Sequence, residues 1–336
     1  MMIPNDPKPG PRPAMSTTAD AVQPWTEHWA RTLSGSIDLQ ADDPVARALR
    51  GWWNSRIGTL RSCPRIVDVG SGPAILPRLM VRLGWTPELP TRWWCVDQAE
   101  LGTDWQQTLP SAVQVLDRTC FEASLAPEGP VDALVSNFGL EYLPMWALAK
   151  ALPAWLHPRG HIQAVLHARG SVIDQVSREH AADLELALRG VKLHQHAQEL
   201  AKAMATAPSD PLQRMMHGVE VRDAYNQAVD QLKQHMDARG RASAVLLDML
   251  HSVTAALRQL PQVGVTQICT SITEQARAYN AEAARLQQML NSALDEIQAR
   301  ALRDMLAAQQ AEGWGLELGR LDCALGQVAW NLSTAT

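Results

Sequence analysis

"RIVDVGSGPAIL", Arg65 to Leu76, runs from an apolar strand pattern into two glycines, a proline and a helix pattern. Gly70 and Gly72 let the backbone approach a ligand closely, and the helix that follows offers unpaired N–H groups. The third glycine of the dinucleotide pattern G-x-G-x-x-G falls on Ile75, and Asp68 stands two residues before the first glycine. A negative charge there is badly placed for a pyrophosphate and well placed for a cationic ligand.

Outward from this turn, strand patterns recur. "RWWCVD" (92–97), "AVQVLD" (112–117), "VDALVSN" (131–137) and "GHIQAVLHA" (160–168) follow, with helix-length spacers between most of them. That spacing predicts a parallel, doubly wound α/β sheet. "GWGLELGRLD" (313–322) and "GQVAWNLS" (326–333) read as a closing hairpin, giving a sixth strand and an antiparallel seventh. In such a sheet the ligand lies beyond the carboxyl ends of the strands, beside strand one. Asp97 ends the second strand, where it can accept both hydroxyls of a ribose, and Asp117 ends the third.

Composition divides the chain. Its 12 tryptophans all lie at or before Trp155 or at or after Trp314. Between about 170 and 313 it is rich in Ala, Leu, Gln, Arg and Glu, mostly good helix formers. Four apolar stripes at helical spacing run there: Ile173 to Leu188, Tyr225 to Met236, Leu246 to Leu260, and Ile272 to Ile297. The last alternates steps of four and three, which suits a helix paired along its length. It is expected to pack on the Leu246 to Leu260 stripe, leaving any surplus apolar face for a homodimer. The expected organisation is a disordered proline-rich lead over 1–20, an α/β core over 21–169, a helical insertion over 170–312 and closing strands over 313–336.

Several classes are disfavoured. A formal net charge of −5 and the lack of a basic run argue against a nucleic-acid partner. No apolar run approaches the ~20 residues of a membrane span. The 5 cysteines are scattered and never in C-x-x-C, which fits reduced thiols in a cytoplasm and no zinc site.

Taken together, the turn and the strand-ending acids resemble the class I S-adenosylmethionine-dependent methyltransferases. "VDVGSGPA" resembles the family's first motif, D-x-G-x-G-x-G, with Ala74 in place of the last glycine. "WWCVDQAE" resembles the second, whose acidic residue holds the ribose, and "VLDRTCFEASL" the segment whose acidic residue faces the adenine. "VDALVSNFGLEYLP" resembles strand four and its following loop, and the last 24 residues resemble the family's closing hairpin. The resemblance implies a mostly parallel seven-stranded Rossmann-like sheet with S-adenosyl-L-methionine as cofactor. It carries cofactor binding over to Asp68, Gly70, Ser71, Gly72, Asp97, Gln98, Asp117 and Asn137. Two departures stand out: Pro73 and Pro77 preclude a regular helix from the turn onward, and the helical insertion replaces a short connection between strands five and six.

Methyl transfer from a sulfonium is an in-line displacement that can work mainly by positioning. His167, ending strand five, is the candidate base, or only a cap to that strand. Glu141 and Tyr142 are placed to orient an acceptor, or Tyr142 to anchor its loop. Trp52 and Trp53 read as buried packing or as pocket lining. A small or medium-sized acceptor under a helical lid is the leading expectation. A protein acceptor, and a non-catalytic nucleoside-binding module that uses its helices for assembly, are the alternatives.

Overall fold

The computed structural model describes residues 18–32, 37–86, 90–122, 129–210, 213, 216–312 and 314–334. The expected proline-rich lead lies outside them up to residue 17, and so does Gly313.

Three helices, α1 (Thr18–Trp29), α2 (Pro44–Asn54) and α3 (Ile57–Arg61), precede the sheet. The strands are β1 (Arg65–Val69), β2 (Arg92–Val96), β3 (Val113–Leu116), β4 (Val131–Asn137), β5 (Leu156–His167), β6 (Leu316–Cys323) and β7 (Gly326–Thr334). They form one 7-stranded sheet in the order β3-β2-β1-β4-β5-β7-β6. The first five are mutually parallel, and β7 runs antiparallel to both of its neighbours. The sheet is therefore mixed.

Burial on both faces explains the apolar runs of β1 and β4. Ile66, Ala133 and Val135 face one core with Trp53, Met80 and Trp93. Val67, Val69 and Leu134 face a second core with Leu152, Trp155 and Ile162. Helix α4 (Ile75–Arg82) follows the glycine turn and α5 (Met145–Trp155) leads into β5. Pro77 falls in the first turn of α4, where a helix N–H has no internal acceptor and its loss costs nothing.

Between β5 and β6 lie only helices among the described residues: α6 (Val172–Glu185), α7 (Leu193–Ala205), α8 (Val219–Ala238), α9 (Ala244–Arg258), α10 (Val265–Ser292) and α11 (Glu296–Ala307), with short helical turns at Leu186–Gly190 and Leu260–Val263. The stripe expected over 272–297 is not one helix. It stops at Ser292, and Asp295 opens a new helix through a capping box with Gln298. Ile297, assigned to the stripe, is 80% exposed. The break serves the sheet: the N–H of Leu294 donates to the His167 carbonyl at 2.9 Å, and the Arg169 N–H donates to the Leu294 carbonyl at 2.9 Å. These bonds bring the helical segment between β5 and β6 back to the end of β5.

The expected helix pairing also differs. α10 packs mainly against α6, α7 and α1, and less against α9. An N-terminal helix thus takes much of the face assigned to the Leu246 stripe.

Candidate functional site

The turn after β1 is held from inside the protein. Gly70 and Ser71 both donate their N–H to the Val96 carbonyl, at 2.9 and 3.2 Å. Gly72 donates to Asp97 Oδ2 at 2.8 Å, Ala74 to the Gly72 carbonyl at 2.7 Å and Ile75 to the Ser71 carbonyl at 3.2 Å. Every N–H from 70 to 75 is therefore spent, Pro73 having none. A phosphate would find no cradle of free amides in this turn.

The glycines answer to close approach. A β-carbon on Gly70 would lie 2.6 Å from Gly139 Cα, and one on Gly139 would lie 2.4 Å from the Val69 carbonyl oxygen. The loops after β1 and β4 cross backbone to backbone, which only glycine permits. A β-carbon on Gly72 would fall 2.8 Å from the ring of Trp29, which brings α1 down onto the turn.

A cavity of about 490 Å³ opens at this crossing, within the ~300–1,000 Å³ usual for small-molecule sites. Asp68, Asp97, Gln98, Thr119 and Phe121 line one side, and Asn137, Phe138, Tyr142 and Leu143 the other. Its roof comes from Val22, Trp25 and Trp29 of α1 and from Gln288, Asn291 and Ser292 at the end of α10.

The two carboxylates differ. Asp97 accepts the N–H of Gly72 and, through Oδ1, that of Ala99 at 2.8 Å. Each oxygen keeps a second lone pair for a ligand donor. Burial raises its pKa above the ordinary value. Asp68 is 1% exposed, and neither carboxylate oxygen has a hydrogen-bond partner among the described residues. Burial, then the charge of Asp97, pushes its pKa well up. A buried carboxylate with no donor costs several kcal/mol (about 3–5) when ionised, so a cation or N–H donor brought into the cavity is strongly favoured there.

Of the three candidate catalytic side chains, only Tyr142 lines the cavity. Its hydroxyl has no partner among the described residues, and burial, then Glu141, holds its pKa well above the ordinary value. His167 lies behind Phe138, the two rings stacked at 4.3 Å and 20°. Burial, then Arg285, depresses the His167 pKa to about 3. The imidazole is thus neutral and weakly basic near pH 7, poorly matched to proton abstraction there. Glu141 Oε1 accepts the His167 backbone N–H at 2.7 Å, and burial lifts its pKa to about 7.

The remaining expected residues divide in the same way. Asn137 lines the cavity with its amide fixed by the indole N–H of Trp53, which donates to Oδ1 at 2.9 Å. Trp53 is fully buried and so supports the site from behind. Ser71 and Gln98 line the cavity. Asp117 does not: its Oδ2 accepts the Leu101 N–H at 3.2 Å, while Thr119, two residues on, reaches the wall. A helical lid is expected from the sequence, but none of these roof residues is singled out there. The i, i+4 pair Trp25 and Trp29 in "PWTEHW" was the available signal, whereas Gln288, Asn291 and Ser292 had none.

No family model matches the sequence, and no curated protein matches it. Some solved structures are similar to this chain over part or most of its length. A Burkholderia thailandensis 1,6-didemethyltoxoflavin-N1-methyltransferase with bound 1,6-didemethyltoxoflavin and S-adenosylhomocysteine is 16% identical, over 48% of this chain and 69% of that one, at a TM-score of 0.34. A Haemonchus contortus phosphoethanolamine N-methyltransferase 1 in complex with phosphoethanolamine and S-adenosylhomocysteine is 14% identical, over 46% and 34%, at 0.29. A Rhodobacter sphaeroides structure named for zinc-dependent alcohol dehydrogenases is 12% identical, over 96% and 100%, at 0.42. Among the described residues no group of three or more His, Cys, Asp or Glu side chains is placed to hold a metal ion, and no helix is long and apolar enough to cross a membrane.

Five parallel strands in the order 3-2-1-4-5, followed by a reversed seventh and an edge sixth, make the mostly parallel seven-stranded sheet that the sequence resemblance implies. This α/β sheet is consistent with the fold of the class I S-adenosylmethionine-dependent methyltransferases that the sequence resembles.

Proposed function

We propose that this protein is an S-adenosyl-L-methionine-dependent methyltransferase acting on a small or medium-sized molecule held in the roofed cavity. The observation that carries the reading is Asp68: a buried carboxylate without a donor, facing a cavity whose glycine turn has no amide left for phosphate. The phosphates of a dinucleotide would further oppose ionisation of Asp68, and a ligand with cationic groups would favour its charged form. Asp97, anchored by two backbone N–H groups, is poised to accept ribose hydroxyls, and Thr119 and Phe121 border the adenine side.

When bound, S-adenosylmethionine would supply an electrophilic methyl on a sulfonium whose leaving group is a neutral thioether. The chain's own residues bind, orient and shield. Asp68 balances positive charge, and α1 with the end of α10 excludes water. His167 and Glu141 support the loop from behind Phe138, so positioning carries the rate.

The withdrawal of His167 from the cavity favours a second reading, a nucleoside-binding module without turnover. Incubation with methyl-labelled S-adenosylmethionine and a panel of phenols, heteroaromatics, amines, carboxylates and peptides separates the two. Labelled small-molecule product supports the enzyme. Binding of the nucleoside with no product from any acceptor supports the module, and labelled peptide alone would shift the acceptor class to protein.

A further inference from the structure

The cavity wall beyond the cofactor's carboxylates has a distinct chemistry. Asp68 and Asp97 are the only charged side chains lining it among the described residues. The side away from them is aromatic: Trp25 stacks on Trp29 at 5.7 Å and 29°, Tyr142 meets Trp25 edge-on at 5.5 Å, and Phe138 faces the same space.

Phe138 is held there against its own backbone preference. Its φ is +62°, a left-handed conformation that bulky residues avoid at a cost of about 1–2 kcal/mol. The Phe138 N–H donates to the Val165 carbonyl at 2.8 Å, and the ring rests on His167 at 4.3 Å. One ring face is thus braced by an uncharged imidazole while the side chain borders the cavity.

Among the described residues the cation that sits over this wall, Arg285, is paired with a carboxylate. Arg285 lies 5.2 Å over the Trp25 ring and is paired with Glu282 through two hydrogen bonds, at 2.9 and 2.6 Å. It makes Trp25 a poor partner for a second cation, and it does not line the cavity where an anion would meet it. Arg285 Nη1 is buried without a partner among the described residues, but Arg285 does not line the cavity, and the unmet group that this wall presents to the cavity is neutral. The Tyr142 hydroxyl is buried without a partner among the described residues; Asn291, whose Oδ1 accepts from Gln287 at 3.0 Å, and Ser292 add uncharged polar side chains from the end of α10.

We infer that the acceptor is an uncharged, planar aromatic molecule bearing a hydroxyl or ring nitrogen, held by the rings of Trp25 and Phe138 and fixed by the hydroxyl of Tyr142. Flat faces suit stacking, and a single heteroatom satisfies the buried hydroxyl. The inference rests on the methyltransferase reading and adds the acceptor class to it.

Calorimetry with S-adenosylhomocysteine comes first. Absence of binding overturns the methyltransferase reading and this inference with it. With the nucleoside bound, methyl transfer is then compared across size-matched neutral phenols and heteroaromatics, alkyl amines, and carboxylic acids. The inference expects turnover of a neutral aromatic, a KM raised about tenfold by Tyr142→Phe through loss of one hydrogen bond, and a larger rise in Trp25→Leu. S-adenosylhomocysteine affinity and melting temperature should be unchanged in Tyr142→Phe, which separates acceptor contact from packing. Turnover confined to amines or acids, no turnover of any aromatic, or a KM unmoved by Tyr142→Phe overturns it while leaving the cofactor assignment standing.

Discussion

The carboxylate of Glu141 accepts the backbone N–H of His167 at 2.7 Å, joining the loop after β4 to the end of β5 beneath the cavity floor. Two residues that the sequence offers as catalytic are thereby committed to each other. The bond has a consequence for stability, because Glu141 is buried with its pKa raised to about 7.

A carboxyl whose folded pKa exceeds its unfolded value favours the fold most while protonated. Its contribution is fully present below about pH 4.5 and is lost as pH rises through about 7. Glu141→Gln keeps the acceptor for the His167 N–H and removes the titration. The stability of wild type relative to Glu141→Gln should therefore fall by about 3 kcal/mol between pH 4.5 and pH 8. Urea denaturation at the two pH values measures it, and a difference independent of pH would refute the assignment.

Gly139 and Gly51 make a contrasting pair. A β-carbon on Gly139 meets backbone at 2.4 and 2.7 Å, whereas one on Gly51, inside α2, meets nothing within 4 Å. Gly139→Ala should cost at least about 2–4 kcal/mol, since neither backbone can yield without opening the sheet. Gly51→Ala should stabilise by about 0.5–1 kcal/mol through helix propensity. Thermal denaturation of both variants would show opposite shifts, and shifts of the same sign would contradict the loop crossing.

Asp97 and Asp117 both end a strand in an acid, yet only Asp97 lines the cavity. Asp97→Ala should weaken S-adenosylhomocysteine binding by about 1–3 kcal/mol, the value of hydrogen bonds to a charged group. Asp117→Asn, at a side chain that accepts the Leu101 N–H and does not line the cavity, should change affinity less than about threefold. Equal losses in both variants would place Asp117 in the binding site as well.

The sheet was legible because its strands are buried on both faces and read as apolar runs between breakers. Asp68, Gly70, Gly72 and Asp97 were legible because a short loop fixes their spacing to β1 and β2. The far side was not. Glu141 and Tyr142 are adjacent in sequence, and only the backbone twist at Gly139 and Phe138 decides which of them faces the cavity. Likewise the 272–297 stripe carries no local signal that Leu294 must reach back to His167. That break is set by a tertiary hydrogen bond, and periodicity alone cannot see it.

Isothermal titration of the folded wild-type protein with S-adenosylhomocysteine, and separately with NAD, tests the assignment of the cavity most directly. The account predicts saturable one-site binding of S-adenosylhomocysteine and no heat from NAD. No binding of S-adenosylhomocysteine, or binding of NAD in its place, would contradict it.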